Sequence, residues 1–245
     1  MSAVFTYNPS DAFEQLYIQL REKEGRIYKD EEVAKLPAIQ NNHFYHPEWA
    51  IREGSLKKMI AYLKRKGDEL TILEVGCGNG WLAAKLASVT KNKVTGIDVN
   101  GIELDQAKRV FHHIPNLNFI HCGLDGEELQ DKNFDVIIFA ASIQYFSSLK
   151  KIITAATSYL TLQGEIYIMD SIFYRQHEIA AAKQRTAAHF TSAGCNEMAA
   201  FYFHHSMEDL KRFNPTILYD PSFLLNRFSL HKNPFYHVVI KSRYQ

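Results

Sequence analysis

The chain has 245 residues, 46% hydrophobic and 22% charged, which suits one large domain or one domain with an added cap. Its formal net charge of +1 supplies no field to gather nucleic acid or an anionic membrane surface. Cys77, Cys122 and Cys195 lie far apart with no CxxC pair, so they suggest neither a zinc site nor a disulfide framework and fit a reducing cytoplasm.

Residues 1–47 are polar, aromatic-rich and interrupted by Pro9, Pro37 and Pro47, with short helices expected around 10–22 and 30–36. No basic region followed by an apolar one opens the sequence, so no signal peptide is expected. No apolar run approaches the ~20 residues that span a bilayer, so membrane insertion is not expected. From Pro47 a helix is predicted to about Lys66, with Leu56, Met59, Ile60 and Leu63 on one stripe and Gly67 as its stop. Its basic run "KKMIAYLKRK" (57–66) carries Leu and Met at helical spacing and reads as a solvated face.

Strands and helices then alternate. "LTILEV" (70–75), "VTGID" (94–98), "LNFIHC" (117–122), "FDVIIFAA" (134–141) and "GEIYIMD" (164–170) read as strands. "WLAAKLASVT" (81–90) reads as a helix with Leu82, Leu86 and Val89 inward. "GIELDQAKRVFHHI" (101–114) is a helix stopped by Pro115, and "LKKIITAATSYL" (149–160) a helix with Leu149, Ile152, Ile153, Ala156 and Leu160 on one side. Such alternation predicts a Rossmann-like α/β fold: a seven-stranded, mostly parallel sheet with helices on both faces. A helical stretch is expected at 175–192, and Ser206 with Asp209 three residues on starts another in "SMEDLKRF" (206–213). "TILYD" (216–220) and "FYHVVIKSR" (235–243) complete the sheet as an edge pair, the last strand antiparallel.

"ILEVGCGNGW" (72–81) lies between the first strand and the helix after it, where an open parallel sheet binds ligands. Gly76 and Gly78 fit a dinucleotide fingerprint, but its third glycine position falls on Trp81, and Gly80 is one residue early. No Gly-Lys-Ser/Thr ending marks a phosphate loop. Glu74, just before the turn, suits an ammonium better than a pyrophosphate. Asp98 ends the second strand about 20 residues after the turn, where an acid accepts ribose hydroxyls. Asp125, in "CGLDGEEL", follows the third strand near the place of an adenine. Together these predict a site for an adenosine and an amino acid tail without phosphate.

The segments "ILEVGCGNGWLAAKLA" (72–87), "VTGIDVN" (94–100), "CGLDGEEL" (122–129), "FDVIIFAASIQYF" (134–146) and "YLTLQGEIYIMD" (159–170) occur in that order. In this combination the chain resembles the class I S-adenosylmethionine-dependent methyltransferases, in particular those that act on small molecules. The resemblance implies S-adenosylmethionine as cofactor and S-adenosylhomocysteine as product. It implies that Glu74, Gly76, Cys77, Gly78 and Gly80 line the methionine side. Asp98, with Val99 beside it, would bind the ribose, Leu124 and Asp125 would flank the adenine, and Ala140 and Ala141 would lie near the sulfonium. "TLQGEIYI" departs from the usual leucine-proline-glycine-glycine pattern at a turn that is mainly structural. "HPEWAIREGSLKKMIAYL" (46–63) resembles the opening helix of small-molecule members, where Arg52, one turn from Trp49, would meet the cofactor carboxylate. The alternative is a surface arginine beside a packed tryptophan.

The expected organisation is a helical cap at 1–47 and a methyltransferase domain at 48–245 with a helical insertion at 171–205. The expected reaction is in-line transfer of a methyl group to a small-molecule acceptor. Proximity and orientation supply up to ~7–11 kcal/mol of such a reaction. Phe13, Tyr17, Tyr28, Phe44 and Tyr45, with the insertion, are expected to form the lid. His204 and His205, in "FYFHHS" (201–206), are the candidate general bases, with Tyr145 or Tyr174 orienting. His43 with His46, and His112 with His113, lack a third metal ligand at sensible spacing, so no metal is expected. "FAASIQYF" stands where base-amino methyltransferases carry an Asn/Asp-Pro-Pro-aromatic motif, and no Pro-Cys pair provides a cytosine nucleophile, so nucleic acid is not the expected substrate. Two other functions remain open: a cofactor-binding protein that acts through a partner, and an NAD-dependent oxidoreductase. A homodimer is also open.

Overall fold

Runs such as Val136–Phe139 and Ile166–Met169, buried throughout, form the inner strands, as in a sheet covered on both faces. The computed structural model describes residues 11–223, 226 and 233–242. The strands are β1 (Thr71–Val75), β2 (Lys93–Asp98), β3 (Leu117–His121), β4 (Phe134–Ala140), β5 (Leu160–Ser171), β6 (Phe173–Tyr174), β7 (His205–Ser206), β8 (Thr216–Tyr219) and β9 (Tyr236–Lys241). Seven of them make one sheet in the order β3-β2-β1-β4-β5-β9-β8, while β6 and β7 form a separate two-residue pair. β1 to β5 run parallel, and β9 runs antiparallel to both β5 and β8. This is the Rossmann-like arrangement that the alternation predicts.

The helices are α1 (Asp11–Lys23), α2 (Asp30–Val33), α3 (His46–Lys66), α4 (Trp81–Val89), α5 (Gly101–Phe111), α6 (Leu149–Ser158), α7 (Ile179–Ser192) and α8 (Met207–Lys211). Local chemistry fixes their ends. Pro47 stands in the first turn of α3, and Lys64, Arg65 and Lys66 meet the negative pole of its last turn before Gly67. Asn100 accepts the Glu103 amide to cap α5, Ser148 caps α6 through Lys151, and Ser206 caps α8 through Asp209.

Each face of the sheet carries its own core. Met59 and Leu63 of α3 pack with Leu82 and Leu86 of α4 on one side. Leu149, Ile152 and Ile153 of α6 pack with Leu210 of α8 on the other. Phe13, Leu20, Phe190, Cys195 and Met198 make a third cluster, which joins α1 to α7. Thus α1 shares a small core with the segment that follows β6.

Three details differ from the sequence-based expectation. Val89 is 47% exposed, because it ends α4 beyond the last turn facing the sheet. Leu160 opens β5 rather than closing α6, and β5 pairs with β4 there through a register shift. The helix expected from 175 begins as a single 3-10 turn at Gln176–Glu178. The first ten residues of the expected cap, and residue 243 of the expected last strand, lie outside the described residues. Among the described residues no helix is long and apolar enough to cross a membrane.

Candidate cofactor and active site

β1 has β2 on one side and β4 on the other, so the strand order reverses at its carboxyl end. There the chain makes the turn 76–80. Gly76, Gly78 and Gly80 have φ of 74°, 51° and 72°, a region that side chains rarely adopt. The three glycines serve different neighbours. A Cβ on Gly76 would come within 2.6 Å of the Cβ of Ser142, whose hydroxyl donates to the Val75 carbonyl. A Cβ on Gly78 would meet the carboxylate of Glu103 at 2.9 Å. A Cβ on Gly80 would sit 2.4 Å from Phe119 and 2.8 Å from Ala107, inside the packing of α5 and β3.

Four of the five amides of this turn are already engaged. Gly76 and Cys77 donate to the Ile97 carbonyl at 2.9 and 3.0 Å, Gly80 donates to Cys77, and Gly78 donates to Asp98 Oδ2 at 2.6 Å. The turn therefore gives a ligand close approach rather than a cradle of free N–H groups.

Two narrow cavities adjoin it, of about 90 and 50 Å³, and both are walled by Tyr17, Gly76, Gly78, Glu103 and Ala141. The first adds Glu74, Cys77, Ala140, Trp49 and Arg52. The second adds Asp98, Ser142, Tyr145 and Phe13. Larger cavities of about 310 and 880 Å³ lie away from the turn. The cleft thus gathers eight of the fourteen expected site residues: Glu74, Gly76, Cys77, Gly78, Asp98, Ala140, Tyr145 and Arg52.

The other six stand elsewhere. Gly80 faces Phe119. Leu124 is buried in the core under α6. Asp125 is exposed beside Gly123, and Val99 packs against the α1–α7 cluster with its carbonyl on His121. His204 and His205 line the 880 Å³ cavity by α6 and α8, not the glycine cleft. His205 is buried in β7 with Nε2 on the Ile143 carbonyl at 3.1 Å, and burial lowers its pKa. His204 is held by Thr186 at 2.9 Å, and burial and then Lys183 lower its pKa. Neither ring faces this cleft: the Ile143 carbonyl engages His205 and the Thr186 hydroxyl engages His204. Tyr174 contacts His204, not the cleft.

The electrostatics divide the cleft. Glu74 is 3% exposed, and its Oε2 has no hydrogen-bond partner. Burial pushes its carboxyl up to about 8, against the Ala83 amide and with help from Asp98. Burial likewise pushes Glu103 up to about 7, although Arg21 opposes the shift. Asp98 is raised by burial despite accepting the amides of Asn100 and Gly78. Glu48 is the contrary case: burial would raise it, but Arg26 and Arg52 hold it down to about 2. Arg52 donates to Glu48 at 2.9 Å and lies 5.3 Å from the Trp49 ring.

Tyr17 was legible as part of an aromatic lid, but Arg21 and Glu103 were not legible as wall residues. Arg21 donates to the Tyr17 hydroxyl at 2.7 Å across one turn of α1. Among the described residues no three His, Cys, Asp or Glu side chains stand together as metal ligands.

The part of the chain that carries the glycine turn is similar to known proteins. A family profile described as "Methyltransferase domain" matches residues 66–218. The chain is 23% identical over 138 residues to the putative methyltransferase 235L of Invertebrate iridescent virus 6, covering 53% of this chain and 51% of that protein. It is 27% identical over 128 residues to the malonyl-[acyl-carrier protein] O-methyltransferase of Halalkalibacterium halodurans, covering 49% and 47%. The chain spans about half the length of these curated relatives. In fold it is similar to magnesium protoporphyrin IX methyltransferase from Synechocystis PCC 6803 with bound S-adenosylhomocysteine, at a TM-score of 0.57 and 14% identity over 94% of this chain and 95% of that one. The plantazolicin methyltransferase BpumL, also with S-adenosylhomocysteine, gives 0.55 at 15% identity over 96% and 99%. With a family match over more than half its length, and the acid-flanked glycine turn in place, the chain belongs to the methyltransferase-domain family of class I S-adenosylmethionine-dependent enzymes.

Proposed function

We propose that the cleft binds S-adenosylmethionine and that the chain transfers its methyl group to a small-molecule acceptor. The observation that carries this reading is Glu74, a buried acid with an unpartnered oxygen at a glycine turn, in a cleft that also holds Arg21, Arg26 and Arg52. A zwitterionic amino acid tail needs both charges. A pyrophosphate needs free amides, and this turn uses its own internally, which speaks against a nicotinamide dinucleotide.

The residues present fit the group. Glu74 would take the ammonium, and Arg52, exchanging Glu48 for the ligand, would take the carboxylate. Asp98, with Val99 beside it, would hold the ribose. Ala140 and Ala141 would border the sulfonium, and Leu124 and Asp125, which lie outside the two cavities, would flank the adenine where it reaches past them beyond the end of β3. Cys77 and Gly78 leave room for backbone approach, and Gly80 supports the turn from behind. When bound, the cofactor supplies a methyl carbon already activated by its sulfonium. The protein's part is to position the acceptor and exclude water. Phe13 and Tyr17, each in edge contact with Tyr145, close the cleft with it on the α1 side.

Residues 1–47 act in this reading as a cap on a domain of 48–245, with 171–205 as the insertion that anchors the lid. Three free cysteines fit a reducing compartment such as the cytoplasm. The named acceptors of the similar proteins are chemically unlike one another, so the acceptor follows from this chain's own cleft.

The test is calorimetric titration with S-adenosylhomocysteine, followed by mass-spectrometric detection of that product across hydroxyl, amine and thiol acceptors. Binding with turnover is expected. Binding without turnover on any acceptor would favour a cofactor-binding protein that acts through a partner, and no binding would overturn the reading altogether.

A further inference from the structure

β4 and β5 are neighbours, and just past or at its end each carries a non-glycine residue in left-handed backbone: Ala141 at φ 53° and Asp170 at φ 52°. The Ala141 amide donates to the Met169 carbonyl at 3.1 Å, which ties the two tips together. Side-chain-bearing residues adopt this conformation seldom, and strained backbone gathers at functional sites. Ala141 walls the cleft. Asp170 stands next to it, toward α3.

The surroundings hold one half of the Asp170 carboxylate and leave the other. Ser55, one turn after Arg52 in α3, donates to Oδ1 at 2.6 Å. Asn233 donates to Ser55 in turn at 3.0 Å. Asp170 is 5% exposed, yet its Oδ2 has no partner. Buried polar atoms are seldom left so. The charged groups that face it are Arg52, Glu48 and Lys58, the last also lying over the Tyr219 ring at 4.2 Å. With Asp170 itself, two cations face two carboxylates, so the surroundings are neutral overall and suit a neutral hydrogen-bond donor better than a further charge; Asp170 stands just behind the Ala141 wall of the cleft.

We propose that Asp170 Oδ2 receives the acceptor's nucleophile, a neutral O–H or N–H group, and is its proton-accepting base. This rests on the methyl-transfer reading above. As the acceptor heteroatom gains the methyl group, its proton passes to Oδ2, and the departing sulfur keeps the electron pair of its broken bond to carbon. Asp170 ends neutral and returns the proton to water. The acceptor class is thereby restricted to alcohols, phenols and amines that carry a proton. Burial, which raises the Asp170 pKa, suits a base working nearer neutrality.

The test uses saturation-transfer NMR on the protein loaded with S-adenosylhomocysteine. The probes are benzyl alcohol and its donor-free counterpart, benzyl methyl ether. The variants are Asp170→Asn, which keeps the shape and tolerates positive φ, and Ser55→Ala. The wild type is expected to favour the alcohol by about tenfold, as expected for one hydrogen bond to a charged group. That preference should vanish in Asp170→Asn and shrink in Ser55→Ala, with S-adenosylhomocysteine affinity unchanged in both. Equal binding of the two probes by the wild type, binding of neither, or a preference that survives Asp170→Asn would overturn the proposal. Failure of S-adenosylhomocysteine to bind the wild type would instead sink the cofactor reading on which it rests. With a methylated acceptor in hand, Asp170→Asn should lower kcat by about 10²–10⁴-fold and remove the rising limb of its pH profile.

Discussion

Asp98 Oδ2 accepts the Gly78 amide at 2.6 Å, so the acid at the tip of β2 holds the turn that leaves β1. Its Oδ1 accepts the Asn100 amide at 2.8 Å. One carboxylate thus sets the shape of the cleft and faces it. Asp98→Ala should weaken S-adenosylhomocysteine binding by ~1–3 kcal/mol and lower Tm as well, because two amides lose their acceptor. Calorimetry and thermal denaturation of the same samples separate the two effects. Unchanged affinity would remove Asp98 from the ribose site.

Glu74 makes the site pH-dependent. Its carboxyl titrates near 8 in the folded chain against an ordinary 4.5, and Glu103 titrates near 7. Between those values the folded state holds protons that the unfolded state has released. Stability from both groups is therefore complete at low pH and is lost as pH rises toward 7 and then 8. Tm of the unliganded protein should fall from pH 5 to pH 8, and Glu74→Gln should flatten the fall. An ammonium needs the ionised form, so ligand binding at pH 7 should release protons. Calorimetry in two buffers of different ionisation heat measures that release, and Glu74→Gln should abolish Glu74's share.

Gly80 and Gly78 predict opposite phenotypes. Gly80→Ala drives a methyl into Phe119 at positive φ and should cost about 2–4 kcal/mol of stability from overpacking and strain together. Phe119→Leu on the same chain should restore part of it. Gly78→Ala meets only the movable end of Glu103, inside the cleft. It should lower ligand affinity by a larger factor than it lowers Tm. Urea denaturation and calorimetry on the three variants decide this.

His205 should behave as a structural residue. Its ring is buried and bonded to the Ile143 carbonyl. His205→Ala should cost about 1–3 kcal/mol of stability by leaving a buried acceptor unpaired. S-adenosylhomocysteine affinity per folded molecule should be unchanged. A loss of affinity without a loss of Tm would return the histidine to the cleft.

The pattern around the cleft was legible where backbone demands leave a residue signature. Alternating strands and helices fix the sheet, and Glu74, Gly76, Gly78 and Asp98 follow from the first turn and the second strand tip. What three glycines in a row do not reveal is which way each one faces, since Phe119 and Ser142 come from distant strands and loops. Arg21 and Glu103 meet in the cleft only because α1 folds back onto α5, where Glu14 accepts the Ile102 amide. The placement of His204 and His205 depends on the β6–β7 pair, two residues long and without any periodicity to read. Local sequence carries the elements, and tertiary packing decides their company.

The strand order has one more consequence, for how the molecule opens. β1 and β4 sit in the middle of the sheet, each with a hydrogen-bonded strand on both sides. The residues that end in the cleft are thereby rooted in the ladders least exposed to solvent. β3 and β8 occupy the two edges, and β8 is largely exposed. Amide exchange with deuterium should be slowest at Leu73, Glu74 and Val136 to Ile138, and fastest along β8, when measured by native-state NMR. The floor of the cleft would then remain in place through fluctuations that unfasten the edges, and only its wall on α1, which rests against α7, would need to move as ligands come and go.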